Sequence, residues 1–279
     1  MPARTITVAH SPDSDDAFMF YALANNKLDT GGLRFEHVLS DIETLNRKAL
    51  DETYDVSAVS IHAFAYLTDR YALLSSGASM GDGYGPMVVA REPFMVRDLK
   101  RLRIAVPGER TSAYLALRLL EPDVITVAVP FDRILDEVVA GRFDAGLLIH
   151  EGQLTYRDAG LRLIVDLGEW WYQETSLPLP LGGNVIRRGL GVELIAQVAR
   201  LLRESIRYAL SHREEALAYA MRFARDLDAQ RADTFVGMYV NELTVDYGER
   251  GKRAVRTFLE RARKRGLIPH AVDVTFADE

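Results

Sequence analysis

Cysteine is absent from this chain of 279 residues, which excludes disulfide bonds, a thiolate nucleophile, iron–sulfur ligation and cysteine-type zinc sites. Stability therefore has to come from packing, and a chain of this length can build one large domain or two medium ones. No apolar run approaches the ~18 residues of a membrane-spanning helix, because arginine, aspartate or glycine breaks every candidate. Surplus positive charge is lacking too. A net charge of −6 offers phosphate backbones no general attraction, and the locally basic stretch 250–265 is flanked and interrupted by Glu249 and Glu260, so nucleic acid is not an expected partner. The start, Met1-Pro-Ala-Arg-Thr-Ile-Thr-Val-Ala-His10, has neither a long apolar core nor a small-residue cleavage site, and a cytoplasmic protein without a membrane span is expected. Two common catalytic patterns are missing as well. There is no Gly-x-Ser-x-Gly nucleophile turn, and Gly81-Asp-Gly-Tyr-Gly-Pro86 lacks the strand-then-helix frame of a dinucleotide fingerprint. Its glycines suit a tight turn at a hinge or against a ligand.

What is present is α/β patterning. Short apolar, β-rich segments at 5–10, 34–39, 56–59, 87–90, 103–106, 124–129 and 144–149 alternate with helical ones. Helices are predicted over 15–28 and over 41–50, the second capped by Asp41 with Ile42, Leu45, Ala49 and Leu50 on one face. After about residue 190 the chain turns helical: Leu194, Ile195, Val198, Leu201, Leu202 and Ala209 repeat at helical spacing, Ser211-His-Arg-Glu214 forms a capping-box pattern, and two more helices follow near 228–241 and 251–264. No Gly/Ser/Pro-rich linker divides the chain, yet it holds too many βα units for one compact half. The expected architecture is therefore two interleaved α/β lobes around a central cleft: residues 1–90 plus 186–279 form the first lobe and 91–185 the second, with crossings near 88–98 and 178–187.

Four strand-to-helix turns carry clustered polar residues: His10-Ser-Pro-Asp-Ser-Asp-Asp16, Ser57-Ala-Val-Ser60, Gly108-Glu-Arg-Thr-Ser112 and His150-Glu-Gly152. Open α/β sheets keep ligands beyond the carboxyl ends of their strands, so two lobes would bring all four turns to one cleft. His150, ending an apolar strand, is the main candidate for proton transfer because an imidazole titrates near neutrality; its other reading is a hydrogen-bonded strand-end histidine. Thr111 and Ser112 open a helix whose free N–H groups suit a carboxylate, or they only cap it. Ser60 likewise caps its helix or contacts a ligand. The acidic turn Asp13, Asp15, Asp16 reads as a complement to its own helix dipole rather than a metal site, and no metal is expected. Trp170, Trp171 and Tyr172 either floor an aromatic pocket or pack between lobes.

Seven pieces in order carry a resemblance: Ser11-Pro12 with Phe18-Met-Phe-Tyr-Ala-Leu23, Asp41-x-Glu-Thr-Leu-Asn46, Gly83-Tyr-Gly-Pro86, Ala105-Val-Pro-Gly108, Thr111-Ser-Ala-Tyr114, Ile149-His-Glu151 with Thr155-Tyr156, and Leu177-Pro-Leu-Pro-Leu-Gly182. Together they span nearly the whole chain, which resembles the 1,4-dihydroxy-6-naphthoate synthase family of the futalosine route to menaquinone. The resemblance implies a fold like that of type II periplasmic binding proteins. It also implies a lyase that acts on cyclic dehypoxanthinylfutalosine, an aromatic carboxylate, without a metal or redox cofactor. The family's catalytic histidine base falls on His150, its substrate-contacting serine on Ser60, and its pair at the helix start on Ser112 and Ala113, beside Thr111. Two positions depart from the family pattern: Asp13-Ser-Asp-Asp16 replaces a Cys-Pro-Asn-Asp-like loop, and Ser112 replaces a second threonine but keeps a hydroxyl. The alternatives are a chorismate dehydratase of the same pathway, which is not expected to carry Ile149-His-Glu151, and a non-catalytic binding protein for a small carboxylate.

Overall fold

The computed structural model describes residues 4–223 and 228–277; Met1, Pro2 and Ala3 of the start discussed above lie outside the described residues, as do 224–227 and 278–279. The chain first lays down β1 (Arg4–His10), β2 (Leu33–Leu39), β3 (Val56–Ser60), β4 (Tyr71–Leu73) and β5 (Ser79–Gly81) in one sheet. It then builds a second sheet from β6 (Met87–Ala90), β7 (Arg103–Val106), β8 (Ile125–Ala128), β9 (Ala145–Leu148) and β10 (Arg162–Asp166), and returns to the first with β11 (Leu179–Arg187). The strand order is β2-β1-β3-β11-β4 in the first sheet, with β5 also on β11, and β10-β6-β9-β7-β8 in the second. β1 is parallel to β2 and β3, and β7 to β8 and β9, whereas β11, β6 and β10 enter antiparallel.

Parallel neighbours need crossovers, and helices supply them. The helices are α1 (Ser14–Ala24), α2 (Ile42–Leu50) and the single turn α3 (Ile61–Phe64) in the first lobe, then α4 (Ser112–Leu120), α5 (Ile134–Val139), α6 (Gly152–Thr155) and α7 (Leu167–Thr175) in the second, with α1, α2, α4 and α5 lying on the connections between parallel neighbours. The tail is α8 (Val192–Ser211), α9 (Arg213–Ala220), α10 (Ala229–Tyr239), α11 (Glu242–Val245) and α12 (Gly248–Lys264). Asp41 caps α2 as its sequence promised, accepting from the Thr44 amide at 3.0 Å. The capping box at Ser211 does not form: α8 runs on through Ser211, whose hydroxyl donates back to the Tyr208 carbonyl at 3.0 Å, and α9 starts after a break at His212. No described helix is long and apolar enough to cross a membrane.

The two lobes interleave as expected, but their edges fall differently. Residues 87–90, assigned above to the first lobe, pair as β6 with β9 and β10 of the second; residues 179–185, assigned to the second, pair as β11 with β3, β4 and β5 of the first. The prolines of 177–182 concealed this strand, and the register with β5 shifts between Pro180 and Gly182 to accommodate one of them. At the first crossing Gly83 takes φ +82°, and a Cβ on Gly85 would lie 2.9 Å from the Gly168 amide at the start of α7. Backbone thus packs on backbone at the hinge. The largest core cluster is continuous through both lobes, joining Tyr71 and Val185 to Val88, Leu115 and Trp171, with Phe258 of α12 packed among them.

Candidate active site

The carboxyl ends of β1, β3 and β9 and the start of α4 face a common cavity of about 740 Å³, including space open to solvent at its mouth. Because neighbouring parallel strands end at the same level, their following turns converge there. Ser60, Thr111, Ser112, Ala113 and His150 all line it.

His150 follows β9 with φ +58°, a left-handed conformation that a non-glycine residue holds at a cost of order 1–3 kcal/mol, the kind of strain that clusters at functional sites. Its ring meets Phe131 edge-on, centroids 4.7 Å apart. Nδ1 lies 3.1 Å from Asp13 Oδ2 across the cleft, while Nε2 is buried without a hydrogen-bond partner among the described residues.

Opposite His150 stands the acidic turn. Asp13 occupies the N-cap position of α1, yet its side chain makes no cap hydrogen bond and instead accepts from Ser11 Oγ at 2.6 Å. Ser11 N donates to Asp16 Oδ2 at 2.7 Å, and Ser14 Oγ reaches Glu151 at 3.4 Å across the cleft. Burial pushes the Asp16 carboxyl up to about 6, with Asp13 adding to the rise and the Ser11 amide opposing it. Asp15 is raised well above the usual carboxylate range, first by burial and then by Asp16, Asp13 and Glu151, and its Oδ1 has no partner among the described residues. The reading of this turn as a mere complement to its own helix is therefore revised: Asp15 and Asp16 line the cavity, and Asp13 is spent on His150. No described group of three or more His, Asp or Glu residues is arranged to hold a metal ion.

The other wall supplies hydroxyls and amides. Ser60 does not cap α3; Asn46 of α2 clamps it, donating to Ser60 Oγ at 3.1 Å and accepting from Ser60 N at 2.8 Å. Thr111 is a true cap of α4, accepting from the Tyr114 amide at 3.2 Å and donating to the Gly108 carbonyl at 2.8 Å. Ser112 Oγ accepts from the His62 amide of the first lobe at 3.1 Å. Further ties close the cleft on this side: the Glu43 carboxylate fills the place a Cβ on Gly108 would need, and the Arg110 guanidinium lies 4.5 Å from the Tyr66 ring centroid. On the far side Tyr239 of α10 donates to Gln153 Oε1 at 2.8 Å, and both line the cavity.

A family model described as menaquinone biosynthesis matches residues 6–264. The chain belongs to this menaquinone-biosynthesis family. Within reach of it are a 1,4-dihydroxy-6-naphtoate synthase of Thermus thermophilus, 44% identical over 264 residues that make up 95% of this chain and 96% of that one, and one of Streptomyces coelicolor, 39% identical over 275 residues and 96% of each. A solved structure from Archaeoglobus fulgidus superposes with a TM-score of 0.91 at 51% identity, covering 95% of this chain and 98% of that one. The alkanesulfonate-binding protein of Xanthomonas axonopodis pv. citri, solved with MOPS bound, gives a TM-score of 0.74 at 12% identity over 98% and 96% of the two chains. That likeness concerns the fold, which is the periplasmic-binding-protein type.

For this family member, Ser60, Thr111, Ser112, Ala113 and His150 converge on one cavity, whereas His10, which opens the acidic turn, and the aromatic run Trp170, Trp171 and Tyr172 lie outside it. His10 is buried beneath the acidic turn, stacked on Phe20 at 4.5 Å with Nε2 3.1 Å from His37 Nδ1, and burial pulls it down to about 4. Trp171 is a core residue that donates to the Pro178 carbonyl at 3.1 Å, and neither it nor Trp170 lines the cavity. Sequence reasoning missed Asn46 as a clamp and Phe235 and Tyr239 as lining. Gln153, three residues past His150, carried the one local signal; nothing local marks Phe235 and Tyr239, 85 and 89 residues past His150, as cavity residues.

Proposed function

We propose that this chain is a carbon–carbon lyase converting cyclic dehypoxanthinylfutalosine to 1,4-dihydroxy-6-naphthoate and a sugar-derived fragment, with His150 as general base. The observation that carries the reading is the placement of the His150 imidazole, its Nε2 without a partner among the described residues, in the cavity that Ser60 and the start of α4 also line. Membership of the family and the names of the two relatives support the substrate.

The amide groups at the start of α4, with the Ser112 and Ser60 hydroxyls, receive the aromatic carboxylate, since a helix start presents unpaired donors and a positive dipole end. Ala113 leaves room for the ring. His150 removes a hydroxyl proton from the sugar-derived part; the resulting alkoxide collapses to a carbonyl as the carbon–carbon bond breaks in a retro-aldol sense, the electron pair of that bond passing to the ring side as an enolate that takes a proton back, and aromatisation of the naphthalene ring drives the step. The ties between the lobes hold the reactants together and keep bulk water out.

Incubating the protein with cyclic dehypoxanthinylfutalosine and following naphthoate absorbance tests this directly. Product formed at a rate proportional to enzyme is expected. Substrate that is bound but never consumed would favour the binding-protein alternative.

A further inference from the structure

An aspartate at a helix N-cap ordinarily accepts a hydrogen bond from the amides of its own first turn. Asp13 forgoes that bond, although it is fully buried at the start of α1. Its Oδ2 takes two other contacts, Ser11 Oγ at 2.6 Å and, from the opposite lobe, His150 Nδ1 at 3.1 Å. A carboxylate acting only as acceptor at this distance favours a hydrogen on Nδ1, which leaves the lone pair of a neutral ring on Nε2. Nε2 is the ring nitrogen with no partner among the described residues, on a side chain that lines the cavity.

We propose that Asp13 is a positioning residue: it fixes His150 as the Nδ1–H tautomer, aims Nε2 at the substrate hydroxyl, and completes the base only when the two lobes are together. This rests on the reading of His150 as the base. The substrate proton passes to Nε2, giving an imidazolium protonated on both nitrogens, and Asp13 stays an anion that stabilises it without taking the proton. Asp15 and Asp16 of α1, His10 at the end of β1 and Glu151, next in the chain to His150, are other titratable groups gathered around this pair. Closure and activation are thereby one event, because β1 and β9, whose ends carry the two partners, belong to different sheets.

The test uses the full chain as wild type, Asp13→Asn, Asp13→Glu and His150→Gln, assayed with cyclic dehypoxanthinylfutalosine across pH, together with ¹⁵N imidazole NMR of the wild type. Asp13→Asn is expected to lower kcat by roughly 10- to 1,000-fold, the range for an orienting partner of a general base, with KM within about twofold. The acidic limb of its kcat/KM profile should move to lower pH, because the anion that favours the imidazolium is gone. Asp13→Glu should recover part of kcat. Wild-type kcat and an unmoved acidic limb in Asp13→Asn would overturn the pairing even if His150→Gln is inactive, whereas wild-type turnover in His150→Gln would overturn the base itself. Should Asp13→Asn not fold, the wild-type spectrum decides: a neutral His150 carrying its proton on Nε2 refutes the proposal.

Discussion

Two helix starts line the cavity, and the same local geometry has been put to opposite uses. At α4 the cap residue Thr111 satisfies its own helix, and Ser112 Oγ accepts from the His62 amide of the other lobe while keeping its hydrogen to donate, so this wall remains a set of donors with a positive dipole behind it. At α1 the cap residue turns away from its helix, and three carboxyls crowd into a buried turn where two are held above their ordinary range. One wall suits an anion; the other suits hydroxyls and a migrating proton. The contrast teaches that a helix start is not a site until the side chains around it decide which charge it can take.

The contrast breaks most sharply at His150. Its replacement by Asn should lower the rate by roughly 10²–10⁴ while substrate binding survives, measured by steady-state kinetics beside calorimetric titration. Near-normal turnover would leave the acidic wall without a catalytic task.

On the opposite wall the effects should fall on binding. Ser112→Ala removes a hydroxyl and leaves the His62 amide unpaired, so KM should rise about tenfold, equivalent to about 1.4 kcal/mol, with kcat changed far less. Unchanged KM would show that Ser112 serves only the seam between lobes. Asn46→Ala should cost about 1–3 kcal/mol in denaturant unfolding and lower kcat/KM as Ser60 is freed, since it strips a buried amide and hydroxyl of their partner. A loss of stability with kcat/KM intact would remove Ser60 from the donor wall.

The smallest effect concerns pH and stability, with a sign that can be worked out. The Asp16 carboxyl lies at about 6 in the fold against 3.8 unperturbed, so between those values the unfolded chain has lost a proton that the folded chain keeps. Its contribution to stability therefore falls as pH rises from about 4 to about 6 and stays low above that. The buried histidines act the other way. His10, His37 and His62 are held to about 4 against 6.5, so the unfolded chain takes up protons the fold refuses as pH drops through that window, and stability falls toward acid. Asp16→Asn should accordingly raise Tm by a few degrees at pH 7.5, with the gain gone by pH 4. A gain of equal size at both pH values would contradict the elevated carboxyl.

Much of this was legible in the order of residues. Alternating apolar runs located β1, β2, β3, β6, β7, β8 and β9 to within a residue or two, and Asp41 announced α2, because hydrophobic periodicity and capping are local properties. β11 was not legible, since Leu-Pro-Leu-Gly-Gly resembles a loop until an antiparallel slot between β3 and β4 is there to receive it. The lobe boundaries shifted for the same reason: residues 87–90 form a good strand whichever sheet they join, and only pairing partners choose. Ser60 and Thr111 show both outcomes of one ambiguity. Either could cap its helix, and only Thr111 does, because Asn46 from another helix claims Ser60.

The sequence by itself determined the α/β class, the helical tail and the set of polar turns from which a site could be drawn, because those depend on neighbours within a few positions. Which turns meet, that Asp13 abandons its own helix for His150 137 residues away, and that Tyr239 closes the far wall were decided by tertiary structure. Contacts of that kind come from the packing of two lobes around a shared core, and no local pattern of residues encodes the distance between them.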